Sequence, residues 1–588
     1  MIFYYYKLMG MSLVFSIYLA KGSKEISENN SAVLDYDAKP QDSENNPVIQ
    51  SSLGYLKGSW LCSPSGKYYA AFKGIPYAKP PLKELRFEHP QPAEPWSGVR
   101  EALTHGSQCP QRLWILDITL GQEDCLYLNV YTPGLTDHKE NATNATRKLL
   151  PIIFFIHGGT WTIGSGDMDD YLYGPDFFME EDVILVTINY RLGALGFLSL
   201  GNVIPGNMGL KDQAMALQWV WDNADVLGGD KNRIIAMGQS AGGASAQYHS
   251  LQLHSRSLIS GVIAQSGSIL TPWAFTKPGI QAERTRNLAR AVGCLNGGSQ
   301  AIINCLKNVD PFDIVKYQFS TDHDIKQLPI GVTFTPTIEP AGTVNSFIKM
   351  GPKTLLTKYV SSKIPFLTGY TTAEGLLFLE IIVAMINPLA REAVLKRLGK
   401  EKEVFQHDQQ LGSKRINISV DENNTRIESA KTLENRILKH RLIEIAHRIL
   451  GDYEFKMPIL LGSKFHAMSG ASVYLYQFAF TGKNNFLRLF RDDTKDATHM
   501  DELTYQFQGR GIFGSLPQLN NHTSTEYYLS KAIIWMWCNF ARTGNPTPRG
   551  SPIQWPANSR KILIFDNPDS LIVEDAPVMN NWFSLIDT

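Results

Sequence analysis

One pentapeptide in this chain could do covalent chemistry: Gly238-Gln239-Ser240-Ala241-Gly242. A serine hydroxyl is a weak nucleophile until a neighbouring base takes its proton. Glycines on both sides permit a sharp strand-to-helix turn that leaves the hydroxyl exposed at a helix N-terminus. The apolar run 233–237 before the motif and the small residues 241–245 after it supply that strand–turn–helix context. The plainer reading is a glycine-rich turn with a bystander serine. A second turn, His157-Gly158-Gly159-Thr160-Trp161, also follows an apolar run and could aim backbone N–H groups at a developing oxyanion. A serine needs a base and the base an acid, yet the chain has 13 histidines, none distinguished by spacing. Two carboxylates compete for the acid's part. Glu374 follows the strand-like 364–368, and Glu339 closes Thr335-Pro-Thr-Ile-Glu339. The residues alone leave that choice open.

The elements that would position these groups read as an α/β layer architecture. Runs 151–156, 182–189, 233–237 and 259–264 are short, apolar and bounded by turn residues, as strands buried on both faces of a parallel sheet are. Between them, 211–224 has helical spacing. Two later segments, 387–398 and 429–450, read as helices of an insertion over the sheet. No internal repeat is evident. The length of 588 residues alone would allow about four domains. The pattern instead predicts one large domain over 48–588, after a polar, disordered lead-in at 23–47.

Composition bounds the partners and the compartment. Hydrophobic residues make up 43% of the chain, enough for a large core. Lys+Arg and Asp+Glu balance at 56 each, which argues against nucleic-acid binding. Residues 1–22 read as a cleaved signal peptide, since the apolar run from Leu8 to Ala20 is too short to span a bilayer. No later stretch is long enough, so the mature chain is expected to lack a membrane span and to be secreted. Asn29, Asn141, Asn144, Asn417, Asn423 and Asn521 each begin a glycosylation triplet. Cys109 with Cys125, and Cys294 with Cys305, are close enough in sequence to close surface loops in an oxidising compartment. Cys62 and Cys538 are left over, the latter in an aromatic segment that suits a buried thiol. No C-x-x-C or H-E-x-x-H spacing occurs, so no metal is expected.

Further segments give the two turns a family context: 72–81 (FKGIPYAKPP), 123–131 (EDCLYLNVY), 207–213 (NMGLKDQ), 369–375 (GYTTAEG), 498–505 (THMDELTY) and 543–546 (TGNP). With these motifs the chain resembles the type-B carboxylesterases, the carboxylesterase/cholinesterase family, in its insect-like secreted branch. The resemblance implies an α/β-hydrolase fold: a mostly parallel central sheet flanked by helices, with large helical insertions over the active site. It implies a cofactor-independent serine esterase with a Ser–Glu–His triad at Ser240, Glu374 and His499. His499 would sit in a polar loop after the alternating run 472–477, and Glu374 in a loop after its strand. The implied oxyanion donors are the N–H groups of Gly159, Thr160 and Ala241, with Gly158 shaping the turn, and Ser266 would support the acid.

Departures from the family pattern bear on substrate. Thr160 stands where a third glycine is common, and a β-branched residue restricts the turn and narrows the adjoining pocket. Gln239 stands where cholinesterases carry Glu, which removes a charge that would favour cationic substrates. Trp114, in the short stretch between Cys109 and Cys125, does not align with a choline-stacking Trp. The expected partner is therefore a small neutral ester. GQSAG is also the form found in juvenile hormone esterases, which keeps a signal ester as an alternative. An inactive, neuroligin-like adhesion protein is a further alternative, disfavoured because all three triad positions are filled.

Overall fold

The computed structural model describes residues 46–113, 118–135, 148–166, 172–294, 297–319, 333–361, 363–386, 392, 445–490, 495–508, 523–568 and 571–577. The signal segment, most of the lead-in, Trp114, the six glycosylation triplet asparagines and most of the two insertion helices expected at 387–398 and 429–450 lie outside them.

Eleven strands make the central sheet: β1 (Ser59–Cys62), β2 (Tyr68–Pro76), β3 (Tyr127–Thr132), β4 (Leu150–Ile156), β5 (Ile184–Ile188), β6 (Gly229–Gln239), β7 (Gly261–Gln265), β8 (Phe366–Thr371), β9 (Val473–Phe478), β10 (Lys561–Phe565) and β11 (Ile572–Asp575). Their spatial order is β11-β10-β9-β8-β7-β6-β4-β5-β3-β2-β1. The seven strands from β10 to β5 pair in parallel. The strands flanking them on both sides are antiparallel. Every residue of β4, β5, β7 and β8 is buried, which is why these strands read as continuous apolar runs rather than alternating ones. The chain is an α/β protein of the α/β-hydrolase kind, with helices packed on this sheet.

Strand order reverses beside β4, which lies between β5 and β6. In open α/β sheets the crevice beyond the carboxyl ends of the strands at such a point is where ligands bind. Both glycine-rich turns leave the sheet there, one after β4 and one after β6. The register keeps neighbouring strand ends level. Gln239 of β6 pairs with Gln265 of β7, Gln265 with Gly369 of β8, and Gly369 with Tyr476 of β9. The turns that follow these strands therefore emerge side by side.

Five helices matter for the site: α1 (Met208–Asn223), α2 (Ala241–Leu251), α3 (Glu374–Ile386), α4 (Met457–Met468) and α5 (Thr525–Thr543). A π-helical turn, Asp452–Lys456, leads into α4. Cys109 is bridged to Cys125 and Cys294 to Cys305, the two pairings that the spacing allowed without fixing them. Cys62 and Cys538 are free thiols, Cys538 buried in α5.

Candidate active site

The turn between β6 and α2 holds Ser240 at φ 57°, ψ −123°, a conformation that L-residues adopt only when their surroundings impose it. The flanking glycines permit it by their lack of side chain. A Cβ on Gly242 would come within 2.0 Å of the Ile156 carbonyl oxygen, and one on Gly238 within 2.3 Å of Gly242. The elbow thus presses against the end of β4, from which the second turn departs. A Cβ on Gly158 would lie 3.1 Å from Ser240 Cβ, so the two turns touch.

The second turn is fixed from three sides. The His157 ring stacks on Tyr190 at 4.4 Å, and the Tyr190 hydroxyl donates to the His157 carbonyl at 3.0 Å. Trp161 Nε1 donates to Ser245 Oγ of α2 at 2.9 Å. Gln111, next to the Cys109–Cys125 bridge, grips both backbone groups of Gly164 with its one amide, at 2.8 and 3.1 Å. Gly159, Thr160 and Trp161 all have positive φ, at 94°, 58° and 55°. Among the described residues the N–H groups of Gly159, Thr160 and Ala241 have no acceptor.

Glu374 is not in a loop, as the sequence implied, but is the first residue of α3. Its Oε1 accepts from Thr371 N at 2.8 Å and Ser266 Oγ at 2.6 Å, and its Oε2 faces His499 Nδ1 at 2.5 Å. The segments just before the two residues are tied directly. Ala373 pairs with Thr498, and Ala373 N donates to the Ala497 carbonyl at 2.8 Å. Ser240, Glu374 and His499 are each no more than 2% exposed.

Residues 45–569 match the carboxylesterase family. The chain belongs to that family. The carboxylesterase is 31% identical to juvenile hormone esterase of Tribolium castaneum over 91% of this chain and 89% of the relative. It is 30% identical to esterase FE4 of Myzus persicae over 89% and 88%. To acylcarnitine hydrolase of Mus musculus it is 32% identical over 88% and 86%. It is a serine hydrolase of carboxylic esters.

In this carboxylesterase the rival acid has other work. Glu339 Oε1 accepts from Asn207 Nδ2 at 2.9 Å and from Phe347 N at 2.8 Å, while Oε2 pairs with Lys211 Nζ at 2.7 Å. Glu339 thus anchors the N-terminal end of α1, and among the described residues it is hydrogen-bonded to no imidazole. His499 is also flanked by aromatic rings: Phe378 of α3 and Phe455 of the π-helical turn lie 5.1 and 4.8 Å from its ring. Trp273 packs on Phe455 and on Trp161, joining this wall to the turn after β4.

Several site features had no usable signal in the sequence. Burial raises the Glu454 carboxyl, beside Phe455, to about 8. Burial, then the charge of Glu374, pushes Glu502 well above the usual carboxylate range. Asp501 is likewise raised well above it by burial, although the N–H groups of Phe486 and Thr498 favour its charged form. Burial also lowers His157 to about 4, so the turn after β4 carries a neutral imidazole at pH 7. Gln239, expected to act on substrate charge, is fully buried, with Nε2 3.1 Å from His499 Nε2. Among the described residues no cluster of side chains could hold a metal ion, and no helix is long and apolar enough to cross a membrane.

Proposed function

We propose that Ser240, Glu374 and His499 act as nucleophile, acid and base in the hydrolysis of small neutral esters. The observation that carries this reading is the 2.5 Å contact between Glu374 Oε2 and His499 Nδ1, beside a strained elbow bearing Ser240. With Nδ1–H directed at the carboxylate, Nε2 keeps its lone pair and can take the Ser240 proton. Ser240 Oγ attacks the ester carbonyl. The oxyanion is met by the N–H groups of Gly159, Thr160 and Ala241, with Gly158 leaving room for the carbonyl. His499 then protonates the leaving alcohol and later activates the water that splits the acyl-enzyme. Glu374 orients the imidazole and stabilises its charged form, and Ser266 with Thr371 N holds the carboxylate in place.

Apolar walls from Phe378, Phe455 and Trp273 favour uncharged substrates, and Thr160 favours smaller acyl groups over bulky ones. Likeness to the Tribolium juvenile hormone esterase, together with the GQSAG form, supports a signal ester as the second reading of the same site. The leader segment and the two disulfides favour a secreted, glycosylated protein. The test is titration by paraoxon together with turnover of a short aryl ester. Wild-type protein should release one nitrophenolate per chain in a burst. Ser240→Ala should release none and lose on the order of 10⁶ in kcat. A Ser240→Ala protein that still turns over would sink the assignment, and a folded wild-type protein that is never phosphorylated would point to a pure binding function. Comparing kcat/KM for juvenile hormone with that for aryl and choline esters separates the substrate readings.

A further inference from the structure

His499 Nε2, the atom that must receive the serine proton, is already engaged. Its neighbour at 3.1 Å is Gln239 Nε2, from the residue just before the nucleophile, while Ser240 Oγ has no hydrogen-bond partner among the described residues. The direction of this bond follows from the other side of the ring. Nδ1–H donates to Glu374 Oε2, so Nε2 is an acceptor and the atom facing it must be an N–H of the Gln239 carboxamide. The Gln239 Oε1 that remains makes no hydrogen bond among the described residues and lies against the other turn, where a Cβ on Gly158 would come within 3.0 Å of it. One side chain therefore touches both the base and the oxyanion turn.

We propose that Gln239 is a positioning residue that holds the His499 imidazole in the resting enzyme and hands Nε2 over to Ser240 when an ester occupies the site. The inference rests on the triad reading above. Two consequences follow from the chemistry of a carboxamide. Until the hand-over Ser240 lacks its base, so its hydroxyl is a poor nucleophile toward anything that does not fill the pocket. A neutral amide also adds no charge beside Nε2, whereas a carboxylate there would favour the imidazolium and withhold the base.

The other groups around the ring would stay the same in a variant at this position. The ring itself is met by Glu374 on Nδ1 and by Phe378 and Phe455, and the titratable groups on the elements packed there are Asp501 and Glu502 just after His499, Asp452, Glu454 and Lys456 of the π-helical turn, and Tyr370 and Tyr476 of β8 and β9.

Three variants of the whole chain test the proposal, each compared with wild type by paraoxon phosphorylation rate and by the pH profile of aryl-ester kcat/KM. Gln239→Met keeps the volume and loses the donor. It should be phosphorylated about 2–10 times faster, the worth of one hydrogen bond, with the acidic limb in place. Gln239→Asn, too short to reach Nε2, should do the same and guards against a packing fault in the first variant. Gln239→Glu should move the acidic limb to higher pH by about 1–3 units and slow turnover at neutral pH. Unchanged or slower phosphorylation of both shortened and isosteric variants, or an acidic limb that stays put in Gln239→Glu, overturns the inference. Those outcomes leave the triad standing as long as wild type still gives its stoichiometric burst. Loss of that burst would instead count against the triad itself.

Discussion

Glu374 and Glu339 are the same side chain, buried to the same degree, at 2% and 3% exposure, and each is saturated with hydrogen bonds. They differ in what stands opposite. Glu374 emerges at the carboxyl edge of the sheet and faces an imidazole, whose second nitrogen is left to accept a proton. Glu339 faces the ammonium of Lys211 on the first turn of α1. The first pair can move a proton and the second can only hold a helix in place. Burial and a satisfied carboxylate therefore do not identify a catalytic acid; the chemistry of the partner does. Glu454 is a third case, fully buried with neither carboxylate oxygen hydrogen-bonded among the described residues, and it keeps its proton instead of a charge.

The sharpest way to break the comparison is Glu374→Gln. The fold should survive, but kcat should fall by about 10⁴, because the amide no longer fixes the tautomer or supports the imidazolium. A drop of less than tenfold in steady-state kinetics would return Glu374 to the status of a structural carboxylate. Glu339→Gln should do the opposite. It strands Lys211, whose own pKa burial already lowers, and should cost about 3–5 kcal/mol in denaturant unfolding. The kcat of whatever protein remains folded should stay within a few-fold of wild type. Ser266→Ala removes one of two donors to Glu374 Oε1 and should lower kcat about 2–10-fold without moving KM. The mildest effect is expected at Glu454. Its folded pKa of about 8 lies above the ordinary 4.5, so between those values the native chain binds a proton that the unfolded chain has released. Stability must then fall as pH rises through that window. Melting curves between pH 5 and 8 should show a shallower decline for Glu454→Gln than for wild type.

The sequence exposed the fold where burial was uniform. The strands β4, β5 and β7 were visible because both faces are covered, so that no polar alternation interrupts them. The antiparallel strands β1 to β3 escaped notice; β1 is only partly buried and β2 carries a bulge between Phe72 and Ile75. Strand β6 runs beyond the apolar core 233–237 at both ends, because pairing with Leu150 of β4 and Gln265 of β7 extends it through polar residues. At the site, the serine elbow was legible because its glycines are adjacent in sequence. The Glu374–His499 contact was not, since the two residues meet across 125 positions and only the family motifs favoured Glu374 over Glu339. The contact of Gln239 was invisible for the same reason: what its side chain touches lies 260 positions away.

Nine non-glycine residues among those described have positive φ, and five of them, Thr160, Trp161, Ser240, Ser266 and Met500, sit in the turns that surround the proposed triad. Each such backbone costs on the order of 1–3 kcal/mol and persists only because packing over-determines it. The reactive centre of this enzyme is therefore its most thermodynamically indebted part, financed by the sheet beneath it. Selection for a tougher molecule and selection for a faster one pull on the same few dihedral angles in opposite directions. Gains in heat resistance that spare the rate must come from elsewhere, from the outer strands and the surface helices.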